Sequence, residues 1–131
     1  MLRIPSPFSD DFEELIRRVI GCCITVHRAL GPGLIEAAYQ RAVCMELEIA
    51  GIRFECEKAC PIRYRGKSLY IHRLDIVVDS KILLELKAVE QLHPVHRAQV
   101  LSSLHASGLA LGLLINFNVP LLADGVRRVV L

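Results

Sequence analysis

Acidic and basic residues alternating along a strand can assemble a metal-assisted hydrolytic site, and one stretch of this 131-residue chain has that pattern. Arg73-Leu74-Asp75-Ile76-Val77-Val78 and Ile82-Leu83-Leu84-Glu85-Leu86-Lys87 are apolar runs separated by Asp79-Ser80-Lys81, which reads as a tight hairpin. Strand side chains alternate faces, so Glu85 and Lys87 project to one side and Leu84 and Leu86 to the other. A hairpin centred on Ser80 sets Asp75 opposite Glu85. Cβ atoms opposed in this way lie roughly 4.5 to 5.5 Å apart, and like charges there weaken a sheet unless something offsets them. A divalent cation offsets them. Paired carboxylates suit Mg²⁺ or Mn²⁺ rather than zinc, and a lysine on the same face can hold a phosphate or orient an attacking water. A solvated Asp75 beside an exposed Glu85–Lys87 pair would spell the same letters without chemistry. Two apolar strands predict covered faces instead, provided that no one-residue bulge breaks the register.

Two further groups are candidates. Glu36 and Tyr39, in Gly33-Leu-Ile-Glu36-Ala-Ala-Tyr39, lie three apart and share a helix face. Position alone makes Glu36 a first-turn acid favoured by the helix dipole, with Tyr39 as half-buried packing. Downstream, His96 and Gln99 share a face, and Gln99 can contact a phosphate, a base or a metal-bound water. His93 and His96 are spaced by three without the intervening Glu of a His-Glu-x-x-His metalloprotease helix. The sequence has no Gly-x-Ser-x-Gly, Walker A or Gly-x-Gly-x-x-Gly pattern, so hydrolase-elbow, nucleotide-triphosphatase and Rossmann readings fall away.

The elements that must position these residues are legible in outline. Apolar residues from Phe12 to Leu30 recur at helical spacing, with Ser9 or Asp10 as cap and Gly31-Pro32-Gly33 as the stop. A second helix is expected from Gly33 or Leu34 to about Ala50, with Gly51 at its end. Arg53–Lys58 and Ile62–Tyr64 suit a strand interrupted by Pro61, at an edge or a bulge. Strands over Leu69–Val78 and Ile82–Lys87 follow. Then come a helix from Pro94 to Ser107 ended by Gly108, a buried strand over Leu109–Phe117, a loop, and a last strand over Val126–Leu131. The order is α-α-β-β-β-α-β-β.

Composition bounds the rest. With 53% hydrophobic and 23% charged residues the chain can bury a core, and its length fits one domain. A net charge of +2 is too weak to mark a nucleic-acid binder by itself. The longest apolar stretch, Gly108–Ile115, is well short of the roughly 18 residues of a membrane span. The first eleven residues turn polar where a secretory signal needs its apolar region, so the protein is expected in the cytoplasm, away from membranes. Five cysteines cannot all pair within the chain, and they are expected to be reduced, buried thiols. Cys56 and Cys60 lack Cys-x-x-Cys spacing and are expected on one strand face, which makes structural zinc a poor fit.

Taken in order, Gly33-x-x-Glu36-x-x-Tyr39, Leu74-Asp75, Glu85-Leu86-Lys87-Ala88-Val89-Glu90, His96-x-x-Gln99 and Gly112-Leu-Leu-Ile-Asn116-Phe117 resemble the GxxExxY family of the PD-(D/E)xK nuclease-like superfamily. The resemblance covers residues 10–131 and leaves 1–9 as an N-terminal extension. It implies an α/β single-domain restriction-endonuclease-like fold, a central mixed β-sheet flanked by α-helices. It further implies that Asp75 and Glu85 bind the metal, Mg²⁺ or Mn²⁺, with the Leu86 carbonyl completing the shell. Lys87 is then the catalytic lysine, Glu36 the extra acid near the metal, and Gln99 the polar residue of the following helix. Where relatives typically carry a Tyr within a turn of that Gln, this chain has Ser102-Ser103.

Three function classes follow. The first is a Mg²⁺-dependent nuclease hydrolysing phosphodiester bonds, with DNA expected ahead of RNA. Its backbone contacts would come from Arg17, Arg18, Arg28, Arg63, Arg65, Lys67, Arg73 and Arg97, which are scattered along a chain with only 5% aromatics. The second is a catalytically silent nuclease-like module acting through partners or as a homo-oligomer, its C-terminal strand an edge open to pairing. The third, a Cys/His zinc protein, ranks last.

Overall fold

The computed structural model describes residues 5–131, so part of the expected N-terminal extension, residues 1–4, lies outside the described residues. Helix α1 (Asp10–Leu30) starts where Ser9 accepts a hydrogen bond from the Phe12 N–H, and ends where the Gly31 N–H donates to the His27 carbonyl. Its buried residues Ile16, Val19, Cys23 and Val26 form the apolar stripe that the periodicity predicts. Helix α2 (Glu36–Ile49) begins later than expected. The cause is Tyr39, whose hydroxyl donates to the Gly31 carbonyl at 2.6 Å and accepts from the Leu34 N–H at 3.1 Å. Those bonds hold 31–34 as a loop, with Gly33 at φ 102°, a backbone region that favours glycine. Tyr39 is fully buried, not half-buried, and stacks on Phe117 with ring centroids 4.6 Å apart.

Five strands form one mixed sheet in the order β1-β2-β3-β4-β5: β1 (Phe54–Tyr64), β2 (Lys67–Val78), β3 (Ile82–Lys87), β4 (Leu111–Asn116) and β5 (Val126–Val129). Helix α3 (Pro94–Ser107) links β3 to its parallel neighbour β4; the other neighbouring pairs are antiparallel. Strand β1 runs unbroken through Pro61, because an edge strand can spare that N–H, and the irregularity falls one residue on, between Ile62 and Arg63. Strands β4 and β5 are shorter than expected, and a turn of 3₁₀ helix over Leu122–Gly125 occupies the last loop.

Two apolar layers sandwich the sheet. Ile76, Leu84, Leu86, Leu113 and Ile115 pack against α1 and α2 on one face. Leu74, Val77, Leu83 and Leu114 pack against Val100 and Leu104 of α3 on the other. The α3 face closes tightly: a Cβ at Gly112 would meet Val100 Cγ1 at 2.5 Å. Leu74 and Ile76 have the same strand parity yet lie on opposite faces, so β2 turns over at Asp75. Strand β1 does the same across the way, where Glu57 has φ 54° and the ladder skips from Cys56 to Lys58. Cys56 and Cys60 consequently do not share a face. The Cys44 and Cys56 sulfurs are joined between α2 and β1, which corrects the expectation of five reduced thiols; Cys22, Cys23 and Cys60 are free and buried. Among the described residues no helix is long and apolar enough to cross a membrane.

Candidate functional site

The hairpin expectation holds at its turn and in its register. Asp79 and Ser80 both adopt positive φ, 50° and 54°, as a primed hairpin turn requires. Val78, Val77 and Ile76 pair with Ile82, Leu83 and Leu84, the register that aims Asp75 at Glu85. The ladder stops at Ile76, one residue short of Asp75, because the Asp75 side chain takes over: its Oδ2 accepts the Leu86 N–H at 2.8 Å. The turnover of β2 therefore delivers a carboxylate to the end of β3, where a regular strand would have delivered backbone.

Glu85 projects from β3 on the α3 face, two residues beyond buried Leu83. Only 8% of it is exposed, and its Oε1 is buried without a hydrogen-bond partner. Lys87 Nζ stands 4.0 Å from its Oε2, too far for a strong hydrogen bond. Burial pushes the Glu85 carboxyl up to about 8; the Asp75 charge adds to this, Lys87 opposes it, and Glu36 and Glu57 contribute further repulsion. The Asp75 carboxyl is also raised, chiefly by burial, against the Leu86 N–H and Lys87. Glu36 opens α2, as its position predicts, and its carboxyl is raised by partial desolvation and by Asp75, with Lys87 opposing. Gln99 lies across a groove of about 460 Å³ that Glu85, Lys87, His72, Ser102 and Ser103 also line.

The predicted residues thus converge, with differences. Asp75, Glu85 and Lys87 meet at the end of β3, Gln99 shares their groove, and Glu36 is near enough to influence them electrostatically. Among the described residues no three His, Cys, Asp or Glu side chains form a ready-made metal cage. The orphaned Glu85 oxygen beside a second carboxylate is the feature of this donor set that a hard cation fits. His96 is not free for metal: its Nδ1 accepts the His93 N–H at 3.0 Å and so caps α3.

Sequence reasoning assigned no role to three residues, of which Asn116 alone stood within a quoted motif. Glu57 reaches the site from β1, and Gln40 on α2 donates to its Oε1 at 2.9 Å and to the Asp75 carbonyl at 3.2 Å. Gln40 lies one helical turn after Glu36, a spacing that could have flagged it; Glu57 carries no such signal. Buried Asn116 clamps the chain beyond Lys87, accepting from the Val89 N–H at 3.1 Å and donating to the Val89 carbonyl at 2.9 Å. A larger hollow of about 690 Å³ lies at the opposite end of the β2–β3 hairpin, but its Asp79 is answered by Arg53 at 3.0 Å and Lys81 at 3.5 Å.

The site thus combines an acid from one hairpin strand with acid-x-lysine on the next, on a mixed sheet between helices. A family model described as PD-(D/E)XK nuclease superfamily matches residues 13–129. The chain belongs to that superfamily. Its five-stranded mixed sheet and three helices accord with a single-domain restriction-endonuclease-like fold. Neither the curated proteins nor the solved structures include a match to this superfamily member.

Proposed function

We propose that the chain is a divalent-metal-dependent nuclease, with residues 10–131 as its nuclease-like domain and DNA ahead of RNA as its substrate. The observation that carries this reading is the buried, unpartnered Oε1 of Glu85 beside Asp75 and Lys87 at the end of β3. Isolated carboxylates are not buried in apolar surroundings without a reason, because desolvation is costly. Asp75 and Glu85 would hold Mg²⁺ or Mn²⁺, with the Leu86 carbonyl on the same side. Such an ion supplies charge neutralisation at the scissile phosphate and Lewis acidity.

The chain's own groups do the rest. The Leu86 N–H fixes one Asp75 oxygen and leaves the other free to face the site. Lys87, only partly exposed, places a positive charge where negative charge builds on a phosphodiester under attack. Glu36 sits where it can orient a water, and Gln99 where it can hold a phosphate or base edge.

The test is metal-dependent cleavage of single-stranded, duplex and branched DNA and RNA by wild type and Asp75→Asn. Loss of at least about 100-fold in the variant is expected, in line with removal of a group that stabilises transition-state charge. Equal cleavage by both proteins would overturn the assignment and return the chain to a binding module.

A further inference from the structure

The β1–β2 hairpin extends beyond the sheet that supports it. Its ladder continues to Tyr64 opposite Lys67, whereas the ladder between β2 and β3 stops at Ile76. The end of the hairpin is therefore a two-stranded ribbon with solvent on the side that a third strand would take. Tyr64, Leu69, Tyr70 and Ile71 are 51–63% exposed there, a large apolar exposure for a ribbon with no partner.

Charge on this arm is one-sided. From Pro61 to Arg73 it carries Arg63, Arg65, Lys67 and Arg73 and no Asp or Glu, leaving twelve Lys and Arg against fourteen Asp and Glu elsewhere. The small net charge of the chain hides this separation. Four of the sixteen Lys and Arg thus fall within this one arm.

Aromatic placement is equally uneven. Among the described residues the exposed Phe and Tyr side chains are Tyr64 and Tyr70, both on the arm. The Arg65 guanidinium covers the Tyr64 ring, 5.6 Å from its centroid. Among the described residues no aromatic ring or cation stacks on Tyr70. Tyr70 and its strand partner Ile62 form one wall of the 460 Å³ groove, Val95 and Ala98 of α3 help form the other, and Glu85 and Lys87 are in the same groove. A flat group with apolar faces and polar edges fits such walls, and this volume is that of a small-ligand pocket. One unstacked nucleotide can enter it; a duplex cannot.

We propose that the β1–β2 arm is a single-strand clamp, its cations on the phosphates and one unstacked base laid on Tyr70 in the groove that leads to Glu85 and Lys87. The clamp deepens the nuclease reading and rests on it, since it supplies the strand to be cut. Stacking on an aromatic ring tolerates any base, so the clamp selects for strandedness and not for sequence.

The experiment measures fluorescence anisotropy of a labelled oligothymidylate and of a duplex of equal length, with chelator present so that nothing is cut. Tyr70→Ala is expected to weaken single-strand binding about tenfold and to leave duplex binding within about twofold, while Tyr70→Phe binds as wild type does. Replacing Arg63 and Lys67 together with Ala should reduce the salt dependence of single-strand binding by roughly 1.4 in the log–log slope. Unchanged single-strand affinity in Tyr70→Ala would overturn the clamp. Paired cleavage assays separate the two claims. A dead Asp75→Asn beside a Tyr70→Ala that binds and cuts single strands normally removes the clamp and keeps the nuclease. An Asp75→Asn that cuts like wild type, with binding still dependent on Tyr70, removes the nuclease assignment and keeps the clamp as a binding surface.

Discussion

Glu13, where α1 meets β5, and Glu85, where β3 meets the groove, are carboxylates of the same chemistry in opposite circumstances. Glu13 is answered: Arg128 reaches both its oxygens, at 2.8 and 2.9 Å, and Ser6 donates to it as well. The Arg128 hydrogen bond, then Ser6, hold its carboxyl down at about 2. Glu85 has one oxygen with no partner and a lysine at 4.0 Å from the other, and burial pushes it up to about 8. The first region uses charge to tie the N-terminal helix to an edge strand. The second buries a carboxyl from which folding alone gains nothing. A fold tolerates such a position when ligand binding supplies what the protein withholds, which is the usual trade between stability and activity.

Glu85→Gln should give the largest response. Cleavage is expected to fall by at least about 100-fold, since the substitution removes half of the proposed metal-binding pair. Stability of the metal-free protein near neutral pH should rise at the same time, by about 1 to 3 kcal/mol, because the Glu85 carboxyl has to take up a proton to be buried and an amide does not. Urea unfolding with chelator present reads the second effect. A variant less stable than wild type would mean that Glu85 is already satisfied in the fold. Glu13→Gln is the counterpart and should behave oppositely: a stability loss under about 1 kcal/mol, because the pair is partly exposed, with cleavage unchanged. If Glu13→Gln impairs cleavage, the two regions are coupled and the contrast drawn between them fails.

Much of the scaffold behind this contrast can be read in the letters, and the reason is locality. Helix α1 over Asp10–Leu30, strand β3 over Ile82–Lys87 and helix α3 over Pro94–Ser107 have the bounds that their caps, turns and periodicity predict. The β2–β3 register followed from Ser80 alone, since a tight turn fixes which residues face each other. What escaped depended on contacts distant in sequence. The start of α2 is set by Tyr39 reaching back to Gly31. The approach of Glu57 to Asp75 needs both strands to turn over at one level, and no periodicity announces that. Cys44 and Cys56 lie on elements read separately, a helix and a strand, so their union was invisible. That the Arg63–Arg73 run lies on a ribbon without a third strand is likewise not marked in the sequence.

The smallest effect concerns pH, and its sign distinguishes an answered carboxylate from an unanswered one. Glu13 has a folded-state value of about 2 against an ordinary 4.5, so the unfolded chain takes up its proton first as acid is added. The stability it contributes is complete above about 4.5 and is lost as pH falls towards 2. Partial exposure and salt reduce the amplitude, so the loss should shrink as ionic strength rises. Thermal unfolding of wild type and Glu13→Gln between pH 2 and 6 reads this directly: the two curves should converge at the acid end and separate above 4.5. Parallel curves across that range would show that Arg128 and Ser6 do not hold the carboxylate in solution. Convergence would show that they do, and that Glu13 is the answered carboxylate against which the unpartnered oxygen of Glu85 is to be compared.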